Sequence, residues 1–328
     1  MSWFLFFVAL IHDFGISFSM KKRRILITGG SGLLSLNWAC ALRDVWDVTL
    51  GTHRHSVELS GVASYPLNLD DPVRLSAELG ELLPELVVHT AGLTSVDRCE
   101  QFPLLAQQAN VEIAENVACA TVAAGARLIH ISTDHLFSGL KSMSSEVEKA
   151  APVNHYGKTK ALAESAVMRA NPNALVVRTN FFAWGHAARQ SFTDWLICNL
   201  RAGKALPLFD NVFFTPILAD ELAFAAHELL DQGASGVFNL VGDQRLSKYE
   251  FACAVADHFS LPMELLSRHS FDGSELIAAR PHDMSLDNSK ARAMLGRSLG
   301  DVQQFLVALR QQELAGRNIE LLKSVKPK

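Results

Sequence analysis

Two short stretches carry residue types that do chemistry together. The first runs Ser132-Thr133-Asp134-His135-Leu136-Phe137-Ser138-Gly139, and the second is Tyr156-Gly157-Lys158-Thr159-Lys160. Tyr156 and Lys160 are four residues apart, which on a helix puts them on one face. An ammonium at Lys160 beside the phenol of Tyr156 would lower the phenol's pKa by favouring its phenolate. Such a phenol can deliver a proton to a carbonyl oxygen as hydride arrives at the carbon. Thr133 supplies a hydroxyl to hold the same oxygen. The chemistry expected is reversible ketone reduction by a nicotinamide. A tyrosine and lysine on a solvated helix face is the bland alternative, so the surrounding elements decide.

Those elements read as a parallel sheet covered on both faces. Apolar runs predict strands over 24–28, 48–51, 86–89, 126–131, 174–178 and 236–240, and helical patterns fall over 33–43, 72–83, 101–124, 158–170 and 218–230. Continuous apolar strands alternating with helices imply right-handed βαβ crossovers and a Rossmann-like, doubly wound α/β fold. After Val177 the pattern loosens into an irregular insertion over 184–216, and from Leu246 it becomes helix-rich and more polar. The expected division is a dinucleotide-binding domain over 21–182 and 214–242, with a smaller, helix-rich substrate-binding domain over 183–213 and 243–328.

Glycines at Gly29 and Gly32 follow the first strand and open a helix at Leu33 and Leu34. They let the backbone turn tightly and approach a pyrophosphate drawn to the helix N-terminus. The second strand ends at Thr52-His53-Arg54-His55, with no acid to grip a ribose 2′-hydroxyl. His53 and Arg54 suit a 2′-phosphate, so NADPH is expected, with NADH possible. Leu69 and Asp70 are expected near the adenine. Ala91 and Gly92 would let the cofactor lie against the backbone.

Composition narrows the classes. Net charge is −4 at pH 7, without a basic block for nucleic acid or an acidic membrane surface. The five cysteines are widely spaced and lack a CxxC, as expected of reduced thiols in a cytoplasmic protein with no metal site of its own. Residues 1–20 are rich in Trp, Phe, Leu and Ile and precede a basic cluster, Lys21 to Arg24. The run is broken by His12 and Asp13, too short for the roughly 20 apolar residues of a spanning helix, and lacks signal-peptide order. An extension outside the fold, from an upstream mis-assigned start, is expected; the rival is a membrane-associating tail.

With these blocks in hand, the chain resembles an extended short-chain dehydrogenase/reductase, and most closely the dTDP-4-dehydrorhamnose reductase group. The resemblance runs from Arg24 to about Arg292. It rests on Thr28 to Leu34, Val88 to Asp97 with Glu100, Ser132-Thr133-Asp134 with Phe137 and Gly139, and Glu146, Glu148 and Pro152 ahead of Tyr156 to Lys160. Later come Val177 to Asn180, Thr215-Pro216 with Asp220 to Ala223, and Arg280-Pro281 with Ser285 to Asp287. The resemblance implies Thr133, Tyr156 and Lys160 as the catalytic group, with Lys160 also holding the nicotinamide ribose. It implies Thr94 beside the cofactor, a sugar pocket lined by Thr94, Val96, Phe181 and Trp184, and Arg280 reaching the nucleotide of the substrate. The family pattern is not met everywhere: His135, Ser138, Glu148, Phe181 and Asp210-Asn211 stand where the family has other residues.

The implied activity is NAD(P)H-dependent reduction of a 4-keto-6-deoxy sugar on a nucleoside diphosphate, in a chain that can form a homodimer. Two alternatives from the same family stand beside it: a non-catalytic NADP-binding regulator resembling the methionine adenosyltransferase beta subunit, and a nucleotide-sugar epimerase or dehydratase. The dehydratase is disfavoured because the Asp134-His135 pair lacks the extra acid expected beside the hydroxyl donor.

Overall fold

The computed structural model describes residues 22–273 and 276–327; the expected extension over 1–20 lies outside them. β1 (Arg23–Thr28) buries Ile25, Leu26 and Ile27, so both its faces are covered. A glycine turn leads into α1 (Leu33–Leu42), which has no polar face and buries Trp38 completely. A helix apolar all round belongs inside a protein, and α1 lies between the sheet and later helices. β2 (Trp46–Thr52), β3 (His55–Val57), β4 (Ala63–Pro66), α2 (Pro72–Leu82) and β5 (Leu86–His89) follow. Asp71 caps α2, accepting from the amides of Val73 and Arg74.

The single helix expected over 101–124 is instead α3 (Val96–Gln101), α4 (Pro103–Gln107), a π-helical turn (Gln108–Glu112) and α5 (Ile113–Ala123). Pro103 has no N–H to continue the first helix, so a new one begins there. The π turn carries Asn110, which is buried.

β6 (Arg127–Ile131), α6 (His155–Ala170) and β7 (Leu175–Arg178) follow. α6 starts at His155 and not at Lys158, because Asn154 caps it by accepting from the Gly157 amide at 2.8 Å. Tyr156 and Lys160 therefore both lie on the helix. β8 (Phe181–Phe182), α7 (Phe192–Arg201), β9 (Leu206–Phe209), β10 (Phe213–Phe214), β11 (Ile217–Leu218), α8 (Ala219–Asp231) and β12 (Gly236–Asn239) come next. The chain continues through β13 (Leu246–Ser247), α9 (Lys248–His258), β14 (Leu266–His269), α10 (Ser289–Leu295), α11 (Val302–Leu314), α12 (Arg317–Ser324) and β15 (Val325–Pro327).

Seven strands form one parallel sheet in the order β12-β7-β6-β5-β1-β2-β4. Ile25, Ile27, Val88, Ile129 and Val177 face one apolar layer with α1 and α8. Leu26, Val87, Leu128 and Val176 face the other, with α2, α5 and α6. This is the doubly wound, Rossmann-like fold expected. Strand order reverses at β1, so the crevice for a ligand opens at the carboxyl ends of β1 and β5.

In the smaller region, β9 pairs with β14, and α7 packs on α9. Its last residues do not belong there. β15 pairs antiparallel with β3, and Leu321 and Val325 bury in the layer that holds α1. Burial of those two side chains carries residues 317–327 back to the cofactor half.

One buried ionic cluster ties helix to sheet. Glu164 on α6 accepts from Ser132 Oγ at 2.6 Å and from Arg178 Nε and Nη2 at 2.9 and 2.7 Å. Ser132 follows β6, and Arg178 ends β7. Removing one partner of such a pair leaves the other buried and uncompensated, at a cost of about 3–5 kcal/mol. Glu164→Ala is therefore expected to lose stability on that scale in denaturant unfolding, and Glu164→Gln less. A loss under about 1 kcal/mol for the alanine variant would contradict this role.

Candidate functional site

The cofactor end is a glycine cradle. Gly29 adopts φ +67°, a left-handed conformation that favours glycine, and accepts a hydrogen bond from Gly32 N at 2.7 Å. A Cβ on Gly29 would stand 2.9 Å from the Ala91 backbone, and one on Gly92 would stand 2.8 Å from Asn110 Oδ1. The turns after β1 and β5 are thus pressed together without side chains. Gly32 caps α1 with no side-chain hydrogen bond, so the first amides of the helix, at Leu33 and Leu34, have no side-chain cap. Uncapped amides at a helix start attract a phosphate. Ser35 donates to Gly29 O at 2.7 Å and lies 2.7 Å from Thr90 Oγ1. The residues present fit a dinucleotide.

His53 and Arg54 form an exposed turn at the end of β2. Asp70 accepts from Gln108 Nε2 at 3.3 Å, and Leu69 O accepts from Asn116 at 3.1 Å, which ties that segment to the π turn and α5. Asn110 anchors the next segment: its Oδ1 accepts from Leu93 N at 2.7 Å, and its Nδ2 donates to Leu93 O at 3.1 Å and Thr159 Oγ1 at 3.0 Å.

Thr133, Tyr156 and Lys160 come together, all buried, beyond the carboxyl end of β6. Thr133 Oγ1 donates to Asp134 Oδ1 at 3.2 Å, and Asp134 in turn accepts from Asn180 Nδ2. The His135 ring meets the Tyr156 ring edge-on at 5.5 Å. Lys160 Nζ donates to Ile131 O at 2.7 Å.

The electrostatics correct one expectation. The Tyr156 phenol is not lowered by Lys160; burial pushes it up to about 12, opposed by its hydrogen bond with Thr133. The further charges that act on it are Asp134, Cys99 and Arg189. Burial also pulls Lys160 down to about 8, with Glu164 pulling the other way. Both residues lie on α6, but the lysine donates to the Ile131 carbonyl at the end of β6. In this state the site stores a proton on Tyr156.

Around this group, Val96 packs with Cys99, Ala106 and Tyr156. Thr94 Oγ1 accepts from Arg189 Nη2 at 2.8 Å. Arg280 pairs with Asp97 at 3.0 Å and donates to Ala278 O at 2.8 Å, while its charge reaches His135. Phe181 is half-buried on β8, next to Asn180. Trp184 is not brought to the cleft. It is buried, its indole donates to Leu309 O at 3.2 Å, and its ring meets Phe259 edge-on. An indole whose N–H is already satisfied on α11 is a core side chain, which corrects its assignment to the sugar pocket.

Three residues near the site were missed. Asn110 carries no signal in a stretch read as one helix, and Arg189 falls in the irregular insertion. Lys248, at the start of α9, lies 3.3 Å from the Phe214 ring centroid; burial pulls it down to about 8, against the attraction of Asp134.

A sequence profile described as RmlD substrate binding domain matches residues 23–313. The chain belongs to this family. It is 29% identical to a probable low-salt glycan biosynthesis reductase of Haloferax volcanii, over 86% of this chain and 96% of that one. It is 30% identical to the methionine adenosyltransferase 2 subunit beta of Pongo abelii, over 89% and 88% of the two. Among solved structures, a hypothetical dTDP-4-dehydrorhamnose reductase from Sulfolobus tokodaii matches with TM-score 0.74 at 31% identity, over 85% of this chain and 98% of that one. A dTDP-4-dehydrorhamnose reductase from Bacillus anthracis, in complex with NADP, matches with TM-score 0.79 at 22% identity, over 89% and 99%, a likeness of fold.

Truncating a fully buried aromatic costs about 3–5 kcal/mol. Trp184→Ala in this family member is therefore expected to lose stability of that order in denaturant unfolding. A variant of unchanged stability would return Trp184 to the cleft.

Proposed function

We propose that this chain reduces a 4-keto-6-deoxy sugar carried on a nucleoside diphosphate, with NADPH as reductant. The observation that carries the reading is the buried Thr133–Tyr156–Lys160 group beyond the carboxyl end of β6, with an uncapped glycine turn at the carboxyl end of β1 in the same sheet. Gly29, Gly32, Leu33 and Leu34 would hold the pyrophosphate, Ala91 and Gly92 would lie under the nicotinamide, and Arg54 with His53 would take the 2′-phosphate. The chemistry that a reduced nicotinamide would supply there is hydride for the keto carbon. Thr133 holds the carbonyl oxygen, and Tyr156 gives it the proton that burial keeps on the phenol. Lys160, its ammonium held on the Ile131 carbonyl, would offset the negative charge that forms in the site and hold the nicotinamide ribose. Arg280 and Thr94 face the substrate, with Phe181 beside the sugar.

A second reading has its own observation. The match to methionine adenosyltransferase 2 subunit beta spans most of both chains, which favours an NADP-binding regulatory subunit. The two readings separate in one assay. Against a panel of nucleoside-diphosphate 4-keto sugars, the enzyme oxidises NADPH, whereas a regulator binds it without turnover.

Tyr156→Phe is expected to keep cofactor affinity and lose about a hundredfold or more in turnover, the scale of a positioned general acid. Lys160→Met is expected to lose turnover and weaken the cofactor, and Thr133→Val to slow turnover with both ligands bound. Equal activity in the unmodified protein and Tyr156→Phe would remove the enzyme reading.

Arg54→Ala is expected to weaken NADPH by about 1–3 kcal/mol, the worth of a charge-assisted hydrogen bond, and to leave NADH nearly unchanged. Titration calorimetry with both cofactors checks it, and equal losses for the two would contradict the 2′-phosphate assignment.

The pH profile follows from Lys160. Its pKa is pulled below the ordinary lysine value to about 8, so the cation is present below that pH and lost above it. kcat/KM, which reports groups in the free enzyme, is expected to fall as pH rises through about 8, and to do so in Lys248→Met as well. A profile flat to pH 10 would contradict the role of the charged lysine.

A further inference from the structure

β3 is an anomaly in a doubly wound sheet. It follows the His53–Arg54 turn directly, yet it joins none of the seven parallel strands. Its strand partner is β15, at the other end of the described chain, in a two-stranded antiparallel ribbon with Val57 opposite Val325, Ser56 opposite Lys326 and His55 opposite Pro327. The family match ends at residue 313, so α12 and β15 lie outside it.

The ribbon is built in rather than resting on the surface. Glu58 N donates to Ser324 O at 2.8 Å, and Lys326 pairs with Glu58 at 2.6 Å. Val57 and Val325 are both buried in the core layer that holds α1. α12 is clamped at two further points. Glu320 takes both Nη atoms of Arg43 at 2.5 and 3.0 Å, while Arg43 also donates to Ser60 O at 3.0 Å. Arg317 pairs with Asp220 at 2.5 Å. The segment 55–60 is thus held along its length by residues 317–327.

We infer that the carboxyl-terminal helix and strand form a strap that sets cofactor choice by holding the His53–Arg54 turn. The inference rests on the reading that this turn takes the 2′-phosphate. A three-residue strand cannot hold its conformation alone, because an isolated ribbon is marginal in water and unpaired backbone groups seek other partners. With β15 in place, Arg54 enters binding with the residue that follows it already ordered. A preorganised contact avoids the ordering cost that a mobile one carries. The strap therefore favours the cofactor that uses the contact, and it is silent for the cofactor that does not.

The test measures Kd for NADPH and for NADH in the full chain. Val325→Asp puts a charge into the buried side of the ribbon and releases β15. The expected result is about a tenfold rise in Kd for NADPH with Kd for NADH within about twofold. If Val325→Asp does not fold, Lys326→Pro breaks the same ladder at its exposed edge without burying a charge, and carries the same expectation to a smaller degree. Ser56→Cys with Lys326→Cys joins two opposed positions by a disulfide; added to Val325→Asp and oxidised, it is expected to restore NADPH affinity, and reduced, to lose it again.

An unchanged ratio of the two affinities in the released variants overturns the strap. So does an equal loss for both cofactors, which is the mark of a merely structural segment. Arg54→Ala, measured alongside, separates the two layers. If it lowers the ratio and strap release does not, the strap alone falls. If neither lowers it, the 2′-phosphate reading falls too.

Discussion

The Glu164 carboxylate is out of water, held between Ser132 and Arg178, and the placement of Thr133, Tyr156 and Lys160 depends on it. Two charges taken from water are stable only when their hydrogen bonds are well satisfied. Here three elements must meet to satisfy them: α6, the turn after β6, and the end of β7. Glu164 sits one helical turn beyond Lys160 and two beyond Tyr156. Fixing it against Ser132 therefore fixes the height of Tyr156 and Lys160 on α6 relative to Thr133, which is next to Ser132 in the chain. Arg178 also lies 5.5 Å over the Phe137 ring, which draws in the rest of the Thr133 loop.

The same cluster shapes the electrostatics. Glu164 is the charge that supports the Lys160 ammonium against its burial. The lysine in turn is directed onto the Ile131 carbonyl at the mouth of the sheet. The phenol is left in a dry setting that keeps its proton.

Much of this was legible in the chain. Runs such as Ile25-Leu26-Ile27 and Leu86-Val87-Val88 have no alternation, and only strands covered on both faces bury them whole. Gly29 and Gly32 announced a tight turn into a helix, and the Tyr156–Lys160 spacing announced a shared helix. What the pattern hid were effects of distance and solvent. Burial sets the direction of the Tyr156 shift, and no spacing rule reports burial. Trp184 reads as a pocket aromatic until α11, more than a hundred residues later, supplies the acceptor for its indole. The pairing of β15 with β3 joins residues some 270 positions apart, and neither three-residue strand has a pattern of its own. Pro103 did signal a helix break that the apolar run obscured.

Transfer of the label from deuterated NADPH is the most direct test of the account. The reductant is prepared with deuterium on either face of nicotinamide C4 and mixed with the protein and a nucleoside-diphosphate 4-keto-6-deoxy sugar. The account predicts that one of the two preparations yields a sugar one mass unit heavier, with the deuterium on the former keto carbon. Folded protein with NADPH bound, and no label in any sugar of the panel, would contradict it.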